Sequence, residues 1–159
     1  MTDNLRILLD RQAIADALYR YTAGLDQGDT DLLTSALTED AKVDLSAATS
    51  KIGFEIPALS PREVVVTALA AAVGPLDTTH AVHNLRIFLD GDSATAHCYI
   101  QAQHYLSGDG PLPERTRHAL LMNNCTAKLD RDGDQWRISH LAIDLVWFEG
   151  DPTVLLPAS

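Results

Sequence analysis

Basic residues are scarce in this chain, and this narrows the range of possible partners. The 159 residues include 12 Lys and Arg against 22 Asp and Glu, a formal net charge of −10 at pH 7. A protein that binds nucleic acid or an anionic membrane needs a basic patch to neutralise phosphates. The sequence has no stripe of basic residues, so we expect neither nucleic acid nor membrane as a partner.

Cysteines and long apolar runs are also scarce. Cys98 and Cys125, the two cysteines, have no metal-ligand spacing and require no disulfide. No apolar run approaches the roughly 18 residues of a membrane span. Residues 1–4 lack the basic and apolar regions of a signal peptide. We therefore expect a cytoplasmic location.

Hydrophobic residues make up 46% of the chain, which is enough for a sizeable core. We find no repeat or linker and expect a single domain over residues 1–159. Its core should span about 5–150, and the Pro-rich tail from Gly150 should be loose.

The order of patterns predicts helices first and strands afterwards. Apolar residues at helical spacing predict a helix over 4–27, Asp29 begins a second helix over 30–37, and Ser60 caps a third that ends at Val73. A short strand is expected over 42–46, and residues 47–60 form either a flap over a pocket or a surface loop. Strands over 78–89, 93–106, 117–129 and 135–148 follow, with a loop over 108–113. This order predicts an α+β fold, a cone-shaped antiparallel sheet closed by three helices.

The hairpin over 78–106 carries four of the six histidines. Strict alternation in its second strand places His104 on the same side as a row of alanines, so His104 should face inward towards a cavity. In the first strand, strict alternation would place His80 on one side of the sheet and Leu85, Ile87 and Leu89 on the other. A bulge near His83 would bring them to one side; burial of both faces is the alternative.

Asp26 is unusual because it lies in the last turn of the first helix, where the helix dipole disfavours a carboxylate. A residue that breaks a local rule is a mild indication of function. A solvated aspartate at the helix end is the alternative.

Several short segments resemble a known family: Leu25-Asp26-x-Gly-Asp29, Thr78-Thr79-His80, Asp90-Gly91-Asp92 and Trp136-Arg-Ile. They are similar to the SnoaL-like branch of the nuclear transport factor two-like superfamily, which includes scytalone dehydratase. The resemblance covers about residues 5–150. It implies a cone-shaped fold enclosing a pocket, no cofactor or metal, and catalytic roles for Asp26, His80 and His104.

The same resemblance implies where the substrate binds. Two fourth-strand positions that contact the substrate in that family correspond to Asn123 and Cys125, although the two cysteines are also expected to pack inward. Two tyrosines that hold a water there correspond to Leu25 and Leu45, which disfavours scytalone itself as the substrate. Tyr21 fits a tyrosine five residues before the aspartate in related bacterial bile-acid dehydratases, and simple core packing is the alternative.

These groups suit the removal of water β to a carbonyl, which needs a base, an acid and a donor to the enolate oxygen. We predict that Asp26 orients His104 and that His80 is the second acid/base or the donor, with Tyr21 and Asn123 positioning the substrate. The predicted function is a cofactor-free lyase or isomerase acting on a cyclic, mostly apolar hydroxy-carbonyl compound. A polyketide cyclase-type enzyme and a non-catalytic binding or assembly module are the alternatives.

Apolar residues also occur away from the expected pocket: Leu120 and Met122 lie on the outer side of the fourth strand, and Leu141, Ile143, Leu145 and Trp147 run along the fifth. Such a pattern favours coverage of the outer sheet face by a second copy. We therefore expect a homo-oligomer, either a dimer or a trimer.

Overall fold

A computed structural model describes residues 3–108, 112 and 114–156. Its elements are α1 (Asp3–Gln27), α2 (Thr30–Ser35), β1 (Leu37–Asp44), α3 (Ser46–Ser50), α4 (Arg62–Val73), β2 (Leu76–Asp90), β3 (Ser93–Leu106), β4 (His118–Asp132), β5 (Gln135–Gly150) and a 3₁₀ helix (Pro152–Leu155). The α+β class is confirmed.

The five strands form one curved sheet in the order β1-β5-β4-β3-β2. Neighbours from β2 to β5 are antiparallel, whereas β1 joins the edge of the sheet parallel to β5. The inner face of the sheet, defined here as the face that α1 covers, holds the buried residues of β1, β3, β4 and β5 and half-buried residues of β2. The predicted alternation of β3 is confirmed, since Ala94, Ala96, Cys98, Ile100, Ala102 and His104 are all buried.

The first helix is held to the sheet by one buried stripe. Ile14, Leu18, Tyr21 and Leu25 recur at helical spacing and are all buried. Burial of each large side chain of this kind stabilises a fold by roughly 1.5–3 kcal/mol. At Gly24 the second helix comes so close that an added Cβ would lie 2.7 Å from the backbone nitrogen of Leu33. The end of α1, and with it Asp26, is therefore fixed relative to the sheet.

The predicted bulge in β2 is confirmed. Its pairing with β3 shifts between His83 and Arg86, and Asn84 has a φ of 53°, in the left-handed region that asparagine tolerates better than most residues. Beyond the shift, Leu85, Ile87 and Leu89 pack against the core, as Val82 does before it. The bulge thus lets His80 and the later apolar residues of β2 face the same side.

Several local predictions need correction. The second helix ends at Ser35 and not at 37, the first strand spans Leu37–Asp44 and not 42–46, and α3 makes four α-helices among the described residues where three were expected. Pro61, not Ser60, is the cap of α4, and it makes no side-chain capping bond. Residues 47–60 are not wholly irregular, because α3 continues to Ser50. The expected loose tail is wrong for the described part: Asp151 caps the 3₁₀ helix, and Val154 is buried against the sheet. Residues 109–111, 113 and 157–159 of the predicted loop and tail lie outside the described residues.

Candidate active site

A cavity of about 160 Å³ lies between the inner face of the sheet and the helices. Its walls are mostly apolar, with Leu69 and Val73 from α4, Leu25 from α1 and Ile100 from β3. The outer wall comes from Ala48, Thr49 and Ile52 in and after α3, from Ile56, and from Leu155 of the 3₁₀ helix. Residues 47–60 therefore contribute to a cover over the cavity, the first of the two interpretations of that segment.

Asp26 and His80 form a hydrogen-bonded pair at the wall of this cavity. His80 Nδ1 lies 2.6 Å from Asp26 Oδ1, and the backbone N–H of His80 donates to Asp26 Oδ2 at 2.8 Å. Thr78 Oγ1 donates to Asp26 Oδ1 at 2.9 Å. A carboxylate can only accept, so the neutral imidazole carries its proton on Nδ1. Nε2 of His80 then has a free lone pair, and no other hydrogen bond to this ring occurs among the described residues.

The charge of Asp26 is stabilised by this set of donors. Partial burial alone would raise the pKa of Asp26, but the hydrogen bonds from the ring and backbone of His80, its charge when protonated, and the bond from Thr78 together lower it. Asp26 is consequently an anion at neutral pH, next to the ring that would gain a positive charge. Its place in the last helical turn is compensated by donors from β2.

The predicted pairing of Asp26 with His104 is wrong. His104 Nδ1 lies 3.4 Å from the carbonyl oxygen of Ala119, and the His104 ring meets His80 edge to face, with 5.1 Å between ring centres. The cause is the backbone of β2, which places both Thr78 and His80 against Asp26 and leaves His104 one strand further away. His104 therefore contacts the pair through His80.

His104 is an uncharged group in this structure. Burial is the main cause that lowers the pKa of His104 to about 4, and the nearby His80 contributes further. Since a carbonyl oxygen only accepts, the ring nitrogen facing Ala119 carries the proton. Nε2 of His104 is then a hydrogen-bond acceptor, not a proton donor, at neutral pH.

Tyr21 and Asn123 supply further polar atoms to the cavity wall. Burial raises the pKa of Tyr21, so its hydroxyl stays protonated, and it makes no hydrogen bond within the described residues. Asn123 Nδ2 donates to the carbonyl of Ile100 at 3.3 Å, which leaves Oδ1 as an acceptor. One donor and one acceptor are thus available to a bound molecule.

The prediction that Cys125 binds the substrate needs correction. It is fully buried in the core opposite Cys98 on β3 and is not among the residues that line the cavity. Its sulfur is occupied by contact with Cys98. Asp26 does not line the cavity either and lies behind His80.

Sequence reasoning missed two contributors to the site. Thr78 was noted only as part of a segment, although it shares a strand face with His80 at a spacing of two and could have been found from that parity. Leu155 was assigned to a loose tail. No comparable signal identifies it, because its position depends on the Asp151 contacts with Arg117 and Thr153.

Cationic side chains are absent from the cavity wall in the described part of the chain. Arg117 binds Asp151 at 2.8 Å, Arg86 lies over the ring of Phe88, and Lys51 binds Asp144 at 2.6 Å. Within the same residues, no group of three or more His, Cys, Asp and Glu side chains is arranged to hold a metal ion. The site therefore offers neutral polar atoms, a large apolar surface and one partly buried anion, Asp26, behind His80.

Comparison with known proteins assigns the family. The SnoaL-like domain matches residues 6–142. This chain belongs to the SnoaL-like family. It is 33% identical over 147 residues to the terrestric acid biosynthesis cluster protein E of Penicillium crustosum, an alignment that covers 91% of this chain and 88% of the relative.

Solved structures share the fold at lower identity. A candidate scytalone dehydratase from Novosphingobium aromaticivorans has a TM-score of 0.72 at 18% identity, covering 91% of this chain and 89% of its own. The hexachlorocyclohexane dehydrochlorinase LinA-type3 from Novosphingobium barchaimii has a TM-score of 0.75 at 20% identity, covering 99% and 100%. A nuclear transport factor two-like protein with a cystatin-like fold, also from N. aromaticivorans, has a TM-score of 0.69 at 20% identity, covering 98% and 94%. These structures confirm the predicted fold, and the family match confirms the predicted SnoaL-like family.

Among the described residues of this SnoaL-like protein, no helix is long and apolar enough to cross a membrane.

Proposed function

We propose that this SnoaL-like protein is a cofactor-independent elimination enzyme, a hydro-lyase or a related isomerase. The observation that carries the proposal is the Asp26–His80 pair, whose free Nε2 belongs to a ring that lines an apolar cavity. An imidazole whose Nδ1–H is held by a carboxylate has its other nitrogen ready to accept a proton. The cavity brings a substrate to that nitrogen.

His80 is the general base in this mechanism. Its Nε2 removes a proton from the carbon next to a carbonyl, and Asp26 stabilises the imidazolium that results. The electron pair of the broken C–H bond forms the enolate and then the C=C bond as the β-hydroxyl leaves. The imidazolium returns its proton to that hydroxyl, so water departs and His80 is neutral again.

The remaining polar groups orient the substrate. The Tyr21 hydroxyl donates to the oxygen on which enolate charge develops, where a preorganised donor is most effective. Nε2 of His104 and Oδ1 of Asn123 accept hydrogen bonds from substrate hydroxyls. His104 therefore serves as a positioning acceptor, in place of the acid or base role expected from the sequence.

The substrate class follows from the size and charge of the cavity. A volume of about 160 Å³ is close to that of an engineered cavity of about 150 Å³ that binds benzene. With no cationic side chain on the described wall, a carboxylate or phosphate on the substrate would remain unpaired. An uncharged, single-ring hydroxy-ketone fits both limits. A chain long enough for polyketide cyclisation fits the volume less well, although His80 would also serve that reaction.

The relatives support this class of chemistry. Two proteins of the same fold have names that describe eliminations, a dehydratase and a dehydrochlorinase, and a 33% identical relative is named for a biosynthesis cluster. An elimination needs a base and a departing group, and the Asp26–His80 pair supplies the base.

A screen of cyclic hydroxy-ketones for loss of water, followed by mass spectrometry, tests the proposal. Turnover by the wild type and its loss, by roughly 10²-fold or more, in His80→Ala is the expected result. His97→Ala is the matched control, because His97 is exposed and its ring contacts Thr126 and the Phe88 ring, away from the cavity. Equal activity in His80→Ala and wild type would refute the assignment of the base.

We also propose a homo-oligomer, formed through the outer face of the sheet, in the cytoplasm. Trp147 is 45% exposed beside its cross-strand partner Met122, and Tyr99 on β3 is 39% exposed. These side chains make an apolar area of the kind that subunit contacts cover. Leu141 and Leu145, by contrast, are buried in the core and take no part.

A further inference from the structure

We propose that Thr78 is a positioning residue that limits how strongly Asp26 attracts the proton of His80. The inference rests on the proposed function only in taking His80 as the base. Thr78 Oγ1 donates to Asp26 Oδ1 at 2.9 Å, and His80 Nδ1 contacts the same oxygen at 2.6 Å. The two donors thus share one carboxylate oxygen.

The strand itself creates this arrangement. Thr78 and His80 are two residues apart on β2, so both side chains point to the inner face, and Thr78 is half-buried there opposite His104. The backbone N–H of His80 takes the other oxygen, Asp26 Oδ2. Three donors from residues 78–80 therefore fix both the position and the plane of the carboxylate.

The two donors reduce the negative charge that Asp26 Oδ1 presents to the His80 ring. A carboxylate oxygen that accepts two hydrogen bonds has its negative charge partly neutralised by each donor. Without the Thr78 hydroxyl, His80 would be the one donor to Oδ1 among the described residues, and the carboxylate would stabilise the imidazolium more. A base that holds its proton too strongly returns it slowly, so Thr78 favours the second half of the reaction.

Other titratable groups around the pair do not obscure this effect near neutral pH. The side chains that face it are His104 from β3 and Tyr21 from α1, while α4 contributes the apolar Leu69 and Val73. Burial lowers the pKa of His104 to about 4 and raises the pKa of Tyr21. Neither changes charge between about pH 5.5 and 8, so neither adds a charge change beside the pair in this range.

The test compares Thr78→Val, which keeps the shape but removes the hydroxyl, with Thr79→Val. Thr79 is the adjacent residue, exposed on the opposite side of the strand, so it is a matched control for the same chemical change. Protein with labelled histidines is titrated by NMR, and the His80 signals are identified by their loss in His80→Ala. No substrate is required.

In Thr78→Val, the midpoint of the His80 ring titration should rise by roughly half a pH unit to one unit, as expected for the loss of one hydrogen bond to a charged group. Thr79→Val should match the wild type, and Thr78→Ser, which restores the hydroxyl, should return the midpoint. Thr78→Ala provides the same measurement should the valine variant fail to fold.

With a substrate from the screen, the acid limb of the kcat/KM profile should move in the same direction. We expect kcat to fall roughly tenfold with KM little changed, because Thr78 does not contact the substrate. An unchanged midpoint in folded Thr78→Val and Thr78→Ala, or an equal shift in Thr79→Val, would overturn the proposal. The NMR result stands independently of catalysis: a shifted midpoint without any turnover would retain the role of Thr78 and refute only the elimination.

Discussion

Asp26→Asn should act by moving a proton on His80, with almost no change in the position of the side chain. The backbone N–H of His80 requires an acceptor at the place of Asp26 Oδ2, so the amide oxygen of asparagine takes that place. The amide NH₂ then occupies the place of Oδ1 and faces His80 Nδ1, 2.6 Å away in the wild type. An NH₂ group only donates, and Nδ1 must therefore become the acceptor.

The proton of the neutral ring consequently moves to Nε2, the nitrogen that is the base in the proposed mechanism. Asp26→Asn should therefore lower activity in two ways: the His80 ring has the wrong tautomer, and the imidazolium has no counter-charge. The corresponding change in the serine-protease triad lowers kcat about 10⁴-fold. Because Asp26 retains 21% side-chain exposure, water can replace part of its effect, and we expect a loss of roughly 10²- to 10³-fold here.

Turnover and long-range ¹⁵N–¹H NMR of the His80 ring measure the two parts of this effect separately. Asp77→Asn is the control, since Asp77 is an exposed aspartate on the same strand. The double variant Asp26→Asn/His80→Ala should be little worse than His80→Ala alone, because residues that act as one unit are not additive. Activity near that of the wild type, or a proton that remains on Nδ1 in Asp26→Asn, would refute this reasoning.

Two further predictions concern stability and assembly. Burial holds the pKa of His104 at about 4, below the ordinary value of about 6.5, so the unfolded chain binds the proton more readily and stability should fall as pH decreases from about 6.5 to about 4. The decrease should total roughly 3 kcal/mol and be largely absent in His104→Gln; parallel melting curves for both proteins across this range would contradict it. Trp147→Glu should shift the assembly towards monomer in light scattering at micromolar concentration, with Glu39→Gln, at an exposed residue of β1, as the control; a monomeric wild type would contradict the oligomer.

The fold could be predicted largely from local patterns, because period and turn chemistry are local properties. The alternation of β3 and the parity break in β2 gave the inner face and the bulge at Asn84. The parallel addition of β1 to β5 could not be predicted in this way, since strand order depends on contacts between distant segments.

The sequence predicts which residues belong to the candidate site better than it predicts the hydrogen bonds between them. Parity placed His80 and His104 on the inner face, on adjacent strands, and either ring was a plausible partner for Asp26. The choice depends on where the end of α1 lies along β2, which is set by packing at Gly24 and by the donors of residues 78–80. Neither is visible as a sequence pattern. Cys125 was misplaced because an inward strand face continues past the cavity into the core.

His80 contacts Asp26 through both its ring and its backbone N–H, and this has an evolutionary consequence. Its ring and its backbone N–H both hold Asp26, but only the ring depends on the identity of the residue. A substitution at position 80 would therefore remove the proposed base while the main chain and Thr78 still anchor the carboxylate and the end of α1. If the proposed mechanism holds, one codon change would be enough to leave a ligand-binding protein on the same scaffold.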